Sequence, residues 1–489
     1  MTIAPTPHHH HTPRLSMPSD RHGIVLGGSI AGLLVARVLL DHFDQVTLLE
    51  RDQFPDQPIP RPGVPQGHHV HALLLQGQQI LEQLFPGIVD DLIQAGAIPM
   101  DWIADWKFLS IEGWLEQHNS GLQGLCCTRL LLEWAVRQRL LKNERFNLRP
   151  GCLVQGLVYN AQPTPRIMGV KLRAGSGEPA SADLSADLVV DATGRQSKLP
   201  QWLSAFGYEK PPETKVNSFL GYASRWYRQP AEAIAQGVIV AAKPGESTRG
   251  GVCYPVEGDR WIVTLSGIAG DHPPDDEAGF LAFAQSLRDP IVYNLLKTAE
   301  PCSPIHCYRR TENQWRHYEH LSAIPRGIVA LGDAVCCFNP VYGQGMTAAA
   351  IGAVTLEQCL AQTSSKTHHH WEPIFQHRLA KALDTPWLMA TGEDFRWAAT
   401  EGKRPGWLAQ LLQGYFDRVL RLSQTSANAH RAFIEVAHLV KPPTALFAPS
   451  ILWQVFRAPS PTSTSSPAST FTFIFMTILS TVFFSLSSS

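Results

Sequence analysis

Apolar residues first form a regular pattern directly after His22. The apolar run at residues 23–26 predicts a buried strand, the glycine-containing stretch at 27–32 a tight turn, and residues 31–40 a helix. A second apolar run at residues 46–50 predicts another strand. The order strand, helix, strand closes a βαβ unit, so the chain is predicted to begin with a parallel sheet.

Later segments show the helix and strand patterns again. Helices are predicted at residues 73–84, 88–95, 128–141 and 345–360. Further buried strands are predicted at residues 187–191 and 327–331. One side of the third of these helices is expected to carry Leu130, Leu131, Trp134, Ala135 and Leu141.

The middle and the end of the chain have different patterns. Between residues 216 and 267, short β-rich runs alternate with Gly and Pro turns, which predicts an antiparallel sheet. Residues 371–440 are predicted to be mostly helical, with a break at Pro405. The predicted fold class is therefore α/β: a Rossmann-like nucleotide-binding domain with an inserted antiparallel-β substrate domain and a helical C-terminal region.

The nucleotide-binding domain is expected to be discontinuous. The predicted boundaries are residues 21–75, 125–200 and 320–365 for this domain, 76–124 and 201–319 for the substrate domain, and 366–457 for the helical region. Residues 1–20 are rich in Pro and His and predict a disordered tail, although the histidine run at residues 8–11 leaves a metal site as an alternative.

The last 32 residues change composition completely. Residues 458–470 are almost entirely Ser, Thr, Pro and Ala, and residues 471–486 form an uncharged apolar run. A spanning helix needs about 20 apolar residues, so this run is a marginal membrane anchor. Its aromatic and β-branched content equally suits an aggregation-prone end. Weak membrane attachment through this tail stays open.

Charge and cysteine content narrow the function classes. Lys and Arg number 41 against 42 Asp and Glu, so no net field attracts nucleic acid, and no nucleic-acid partner is expected. The nine cysteines show no CxxC spacing, and the chain lacks a secretory signal pattern. Reduced thiols in the cytoplasm are the simplest interpretation.

The first predicted turn carries a nucleotide-binding fingerprint. Gly27-Gly28-Ser29-Ile30-Ala31-Gly32 matches GxGxxG, except that Ser29 replaces the middle glycine. The first glycine permits the tight turn, small residues let the backbone approach a pyrophosphate, and Gly32 lets the helix pack closely on the strand. The helix N-terminus supplies free N–H groups and a partial positive charge for phosphates.

Glu50 strengthens this interpretation. It lies eighteen residues beyond Gly32 at the end of the second predicted strand. A carboxylate at that place can accept hydrogen bonds from both ribose hydroxyls, which favours an unphosphorylated ribose such as that of FAD or NAD.

A third element favours FAD. Asp333 follows the last predicted strand, Pro340 comes seven residues later, and Gly343-Gln344-Gly345-Met346 opens a helix. An aspartate at a strand end can bind a ribityl hydroxyl. Glycines can bring backbone amides beside a flavin ring, where the helix dipole favours the anionic reduced flavin. A helix-capping loop is the structural alternative.

Histidines crowd the segment after the second strand. His68, His69 and His71 follow Arg61-Pro62-Gly63. No acidic or cysteine partner follows at a distance characteristic of metal ligands, so no metal is expected. A loop lining the active site and ordinary packing both remain open.

These motifs resemble the FAD-dependent flavoprotein monooxygenases, which include aromatic hydroxylases, squalene-type epoxidases and polyketide epoxidases. The resemblance covers roughly residues 22–441. It implies FAD as the cofactor and an arginine against that cofactor at Arg129, with Val154 near the adenine. The residues expected to bind the cofactor are Gly27, Gly28, Ser29, Ile30, Ala31, Gly32, Glu50, Arg51, Arg129, Val154, Asp191, Gly194, Asp333, Pro340, Gly343, Gln344, Gly345 and Met346.

The middle motif departs from the family pattern. Asp191-Ala192-Thr193-Gly194 stands where the family has an Asp-Gly pair, a form also seen in related flavin reductases and halogenases. The halogenase signature Trp-x-Trp-x-Ile-Pro is absent from the sequence.

The resemblance implies a monooxygenase reaction. A nicotinamide, NADH or NADPH, would reduce FAD, and one atom of oxygen would enter an apolar or aromatic organic substrate by hydroxylation or epoxidation. The sequence shows no second dinucleotide fingerprint, so the nicotinamide would dock transiently, or a partner flavin reductase would supply electrons. The alternatives are a flavin-dependent reductase or dehydrogenase acting on a polyprenoid-like lipid, and a non-catalytic flavin-binding protein. No catalytic acid or base is assigned.

Overall fold

The computed structural model describes residues 21–173, 183–230, 236–363 and 370–457. The predictions for residues 1–20 and 458–489, including the histidine run at 8–11 and the apolar run at 471–486, lie outside the described residues. Within the described ranges, no helix combines the length and the apolarity needed to cross a membrane.

The strands and helices follow the predicted pattern in most places. The strands are β1 (His22–Leu26), β2 (Gln45–Leu49), β3 (Ile98–Asp101), β4 (Trp106–Leu109), β5 (Gln123–Cys126), β6 (Phe146–Arg149), β7 (Val154–Asn160), β8 (Arg166–Leu172), β9 (Asp183–Ser185), β10 (Leu188–Asp191), β11 (Glu213–Val216), β12 (Gly221–Arg228), β13 (Gly237–Val240), β14 (Arg249–Val256), β15 (Arg260–Gly267), β16 (His306–Tyr308), β17 (Asn313–Arg316), β18 (Ile328–Ala330) and β19 (Cys336–Cys337). The helices are α1 (Ile30–Leu39), α2 (Leu75–Leu84), α3 (Ile88–Gln94), α4 (Arg129–Leu141), α5 (Leu199–Ala205), α6 (Glu277–Gln285), α7 (Ile291–Leu296), α8 (Gly345–Thr363), α9 (Glu372–Asp394), α10 (Trp407–Leu422), α11 (Ala427–Ala437) and α12 (Pro449–Arg457).

A five-stranded sheet in the order β18-β10-β1-β2-β6 is built from three separate stretches of the chain. Every neighbouring pair in this sheet is parallel. The strands β1, β10 and β18 are almost entirely buried, because α1, α4, α8 and α9 contribute buried side chains to the same core. The predicted α/β fold with a parallel sheet is confirmed.

A six-stranded sheet in the order β16-β12-β15-β14-β13-β4 contains most of the β-rich middle segment. Its pairs are antiparallel except β13 with β4, which is parallel and which the sequence pattern did not predict. One face packs on α6 and α7 through Phe280, Phe283 and Val292. Two-stranded and three-stranded sheets, β3-β5, β7-β8-β9 and β11-β17-β19, complete the strand pairing of the described residues.

Helix packing differs from the pattern in one place. Leu141, on the predicted apolar side of α4, is 47% exposed, whereas Val136 and Leu140 are buried. Helix α4 is covered on more than one side and also buries Glu133 and Arg137, whereas Leu141 is its last residue. Thr128 caps this helix by accepting a hydrogen bond from the Leu131 amide at 3.0 Å.

The remaining helices divide between two cores. Helices α2 and α3 lie in the stretch assigned to the substrate domain, yet their side chains Leu81, Leu84 and Ile88 join the core of the parallel sheet. Helices α10, α11 and α12 share a separate apolar core, and the predicted break falls between α9 and α10. The domain boundaries themselves stay a prediction.

Candidate cofactor site

The turn between β1 and α1 can form only with glycine at two positions. Gly27 has a φ of +98°, and a Cβ there would lie 2.6 Å from the carbonyl oxygen of Ala192. At Gly32 a Cβ would lie 1.8 Å from the carbonyl oxygen of Gly27. Since real Cβ atoms do not approach oxygen so closely, the first turn of α1 depends on the bare backbone.

Glu50 is held against this turn. Its Oε2 atom accepts from the Gly28 amide at 2.6 Å, and its Oε1 atom accepts from the Asp52 amide at 3.0 Å. The buried side chain of Arg61 places Nη1 at 3.0 Å from Asp52 Oδ2 and at 3.4 Å from Glu50 Oε2. Arg61 was not expected as a site residue, whereas Arg51, which was, has an exposed side chain.

A charged cluster forms at the N-terminus of α1. Arg129 donates through Nη2 to Ser29 Oγ at 2.6 Å and through Nε to Glu133 Oε1 at 2.8 Å. The same carboxylate oxygen accepts from Ser29 Oγ at 2.5 Å and from the Ile30 amide at 3.3 Å. Arg129 is therefore brought to the fingerprint turn from a hundred residues away, while Glu133 could not be anticipated from any motif.

The Glu133 carboxylate stays charged in this cluster. Burial by itself would raise the pKa of Glu133, but Arg129, Arg61 and the hydrogen bond from Ser29 outweigh it, and the pKa is lowered. The cluster thus combines a helix N-terminus with guanidinium groups and one balancing anion. Backbone amides and guanidinium groups in this arrangement are suited to a phosphate.

The motifs at Gly194 and at Gly332-Asp333 lie close to the fingerprint turn. Gly332 has a φ of +63°, and a Cβ there would lie 3.0 Å from the Cβ of Ala31. Gly194 has a φ of +79°, and its Cβ would lie 3.9 Å from the Cβ of Asp333. We call the space bounded by Ala31, Arg129, Gly194 and Asp333 the groove.

Asp333 presents its carboxylate to the groove. The side chain is exposed, yet the surrounding protein excludes enough water to raise the pKa of Asp333, and Arg195, Arg129 and Arg316 act in the opposite direction. An accessible acceptor with restricted hydration is suited to binding a hydroxyl group.

Asp191 and Val154 lie farther from the groove surface. The Asp191 carboxylate is fully buried, where it accepts from the Thr193 amide at 3.0 Å and from the hydroxyls of Thr193 and Ser197. These bonds shape the turn that carries Gly194. Val154 is half-buried at the start of β7. Direct cofactor contacts of these two residues stay a prediction.

The loop before α8 is anchored by a residue from α9. Asp394 accepts from Asn313 Nδ2 at 2.5 Å, from Asn339 Nδ2 at 3.0 Å and from the Tyr342 hydroxyl at 2.7 Å. Asp394 is 1% exposed and was not identified from the sequence. This network fixes the loop that contains Pro340 and leads to Gly343-Gln344-Gly345-Met346.

The start of α8 combines buried side chains with an open backbone. Gln344 and Met346 are buried, and Gly343 has a φ of +65°. A Cβ at Gly345 would meet nothing within 4 Å among the described residues. Helix α8 also contacts the segment Gly332–Ala334.

The histidine segment bridges the groove and the six-stranded sheet. His69 Nδ1 is hydrogen-bonded to Ser224 Oγ at 2.8 Å, and His68 stacks on His306 with ring centroids 3.8 Å apart. His71 Nε2 lies 3.4 Å from Arg129 Nη1. The three rings have different partners, which favours the expectation of a loop beside the active site over a shared metal.

Another group has the spacing of metal ligands. The ligand atoms of His317, Glu319 and His320 lie within 4.8 Å of one another. This is the one such group among the described residues, and it lies outside the groove.

Comparison with known proteins places the chain in a family. No protein-family model matches the chain. Protein Rv3254 of Mycobacterium tuberculosis (strain ATCC 25618 / H37Rv) is 34% identical over 429 residues, which are 85% of this chain and 88% of the relative. The chain belongs to the family of Rv3254.

Solved structures share the fold at lower identity. The flavin-dependent brominase Bmp2 aligns with a TM-score of 0.61 at 14% identity, over 85% of this chain and 93% of the brominase. A flavoprotein/dehydrogenase from Cytophaga hutchinsonii aligns with a TM-score of 0.62 at 15% identity, over 87% and 95%. PqsL from Pseudomonas aeruginosa, described as a probable FAD-dependent monooxygenase, aligns with a TM-score of 0.57 at 15% identity, over 81% and 100%. The resemblance expected from the motifs is confirmed at the level of the fold.

Proposed function

We propose that the chain binds FAD and inserts one oxygen atom into an apolar or aromatic organic substrate, by hydroxylation or epoxidation, with NAD(P)H as the reductant. The observation that carries this proposal is the meeting of three loops at one groove. Gly332 lies beside Ala31, 301 positions away in the sequence, and Gly194 lies beside Asp333. Such a groove suits an extended dinucleotide.

The groups along the groove fit the parts of FAD. Glu50 offers carboxylate oxygens for a ribose, and the Arg129 cluster at the N-terminus of α1 offers donors for a diphosphate. Asp333 offers an exposed acceptor for a ribityl hydroxyl. The open backbone at Gly345 leaves room where any side chain would project.

When bound, FAD would supply the redox chemistry that passes electrons from a reduced nicotinamide to oxygen. The chain would contribute position, charge and exclusion of water. Arg129 and the first amides of α1 would neutralise the diphosphate, and the N-terminus of α8 would favour negative charge near Gly345. The six-stranded sheet would cover the substrate and keep water from the reacting atoms.

Electron supply is part of the same proposal. The nicotinamide would dock transiently, or a partner flavin reductase would deliver electrons.

The alternative functions are those of a flavin-dependent reductase of a polyprenoid-like lipid and of a flavin-binding protein without catalysis. The name of the brominase neighbour adds halogenation as a reaction to be distinguished.

Isotope labelling tests the reaction. The protein, loaded with FAD and supplied with NADPH, is incubated with phenols, polyenes and prenyl lipids under labelled oxygen, with and without bromide. We expect a product heavier by one labelled oxygen atom in both halide conditions. A brominated product, or a product reduced by two hydrogens in the absence of oxygen, would contradict the monooxygenase proposal. A protein that holds FAD without substrate-stimulated NADPH consumption would instead be the non-catalytic alternative.

Glu50 should contribute to FAD affinity in a graded way. Glu50→Ala removes charged acceptors worth about 1.5–3 kcal/mol in hydrogen bonding, so the Kd for FAD should rise about tenfold or more. Flavin fluorescence titration of the apoprotein measures this change. Glu300→Ala is the matched control, because the Glu300 side chain is 70% exposed and pairs with Arg228 at the surface. An unchanged Kd for Glu50→Ala would show that Glu50 only supports the turn.

A further inference from the structure

One face of the six-stranded sheet turns toward the groove. Side chains alternate along a strand, so Tyr222, Ser224 and Trp226 of β12 share a face, while Ala223 and Tyr227 join the opposite core with α6 and α7. On the neighbouring strand, Tyr308 lies directly opposite Tyr222. Directly paired residues point to the same side, so these two phenols form one wall.

The histidine segment lies against this wall. The His69 ring meets Tyr222 edge-on with centroids 4.7 Å apart, and the indole Nε1 of Trp226 donates to the His68 carbonyl at 3.0 Å. Burial lowers the pKa of His69 to about 3, so the ring is neutral at physiological pH. The two rings that contact the Tyr222 ring, those of His69 and Tyr308, are therefore aromatic and uncharged.

Tyr222 has an unused donor. Its side chain is 6% exposed, and no group in the described part of the chain accepts a hydrogen bond from its hydroxyl. Burial raises the pKa of Tyr222, so the hydroxyl keeps its proton and can donate. Tyr222 contacts His69, and His71 two residues later places Nε2 at 3.4 Å from Arg129 Nη1, so this part of the sheet lies near the groove. A buried donor at such a place is costly unless a ligand accepts from it.

We propose that Tyr222 is a substrate-binding residue, whose hydroxyl donates a hydrogen bond to an acceptor oxygen of an otherwise apolar, ring-containing substrate. Tyr308 and His69 supply the flat apolar surroundings, and Tyr222 fixes the orientation of the substrate over the groove. This inference rests on the proposed function and specifies its substrate: one carbonyl or ether oxygen on an aromatic or polycyclic body.

Two probes that differ by one acceptor test the inference. The FAD-loaded protein is titrated with 2-acetylnaphthalene, which has a carbonyl oxygen, and with 2-ethylnaphthalene, which has none, and binding is followed by probe fluorescence. Tyr222→Phe should weaken 2-acetylnaphthalene about tenfold and leave 2-ethylnaphthalene within about twofold, because only the hydroxyl is removed. Tyr227→Phe, on the opposite face of the same strand, should change neither affinity.

The outcomes separate this inference from the proposed function. An unchanged affinity of Tyr222→Phe for 2-acetylnaphthalene, an equal loss for both probes, or a wild-type protein that binds neither probe would overturn the role of Tyr222. Flavin absorbance is recorded on the same samples. A protein that takes up no FAD contradicts the proposed function, whereas an FAD-loaded protein with unchanged probe affinity contradicts only the role of Tyr222.

Discussion

Gly32→Ala should yield a protein that retains less than about a tenth of the wild-type FAD content. The added methyl group would lie 1.8 Å from the carbonyl oxygen of Gly27, so the turn and the first helical residues must move apart. Forcing extra volume into a close-packed contact costs about 1–3 kcal/mol or more, and here the displaced atoms are the amides that we propose to bind phosphate. Absorbance of the released flavin, relative to protein, measures the effect.

A glycine outside the groove provides the matched control. Gly414 lies in α10, and a Cβ there meets nothing within 4 Å among the described residues, so Gly414→Ala should keep its full FAD content. Circular dichroism separates a folded protein without FAD from an unfolded one. If Gly32→Ala carries normal flavin with normal affinity, the fingerprint turn is not the cofactor site.

Stability should fall steeply as the pH is lowered from 7 to 5. Burial lowers the pKa of His69 and His438 to about 3 and that of His71 and His430 to about 4. Between these values and the ordinary histidine pKa of about 6.5, the unfolded chain binds protons that the folded chain does not. Unfolding is therefore favoured on acidification, by about 2 kcal/mol for each histidine at pH 5.

Thermal unfolding at a series of pH values measures this dependence. His438 accepts from the Leu75 amide at 3.2 Å, a bond that a glutamine side chain can replace without a titrating group. His438→Gln should therefore show a shallower fall in Tm between pH 7 and 5 than the wild type. His320→Gln should match the wild type, because the His320 side chain is 62% exposed. A wild-type Tm that is constant from pH 7 to 5 would show that these rings are protonated in the folded state.

Local signals in the sequence were sufficient to predict the strand, the turn and the helix that surround the groove. The strand at His22–Leu26, the glycines at 27 and 32 and the helix at Gly345–Thr363 depend on backbone conformation and on the hydrophobic period, both of which are properties of adjacent residues. The place of Glu50 could also be predicted from its spacing, because the end of the second strand lies beside the fingerprint turn. The family resemblance then indicated that motifs far apart in the sequence belong to one site, which patterns of neighbouring residues do not show.

The tertiary structure decided which distant side chains complete the site. Arg61 holds the fingerprint turn, Glu133 holds the Arg129 cluster, and Asp394 holds the loop before α8. None of the three was identified as a site residue from the sequence. The Tyr222 wall likewise depends on the pairing of β12 with β16, more than 80 residues later. Leu141 is exposed, although it belongs to the apolar side of α4 that the pattern predicts.

The physical reason for this division is the distance along the chain over which each kind of interaction acts. Backbone conformation and amphipathic period are set within a few neighbouring residues, so the sequence determined the fingerprint turn and most helices and strands by itself. Salt bridges, hydrogen bonds to buried carboxylates and the facing of one sheet toward another element form only when the whole chain packs. Which face of a helix or strand is covered is therefore decided by its neighbours in space, as for Leu141 and Tyr222.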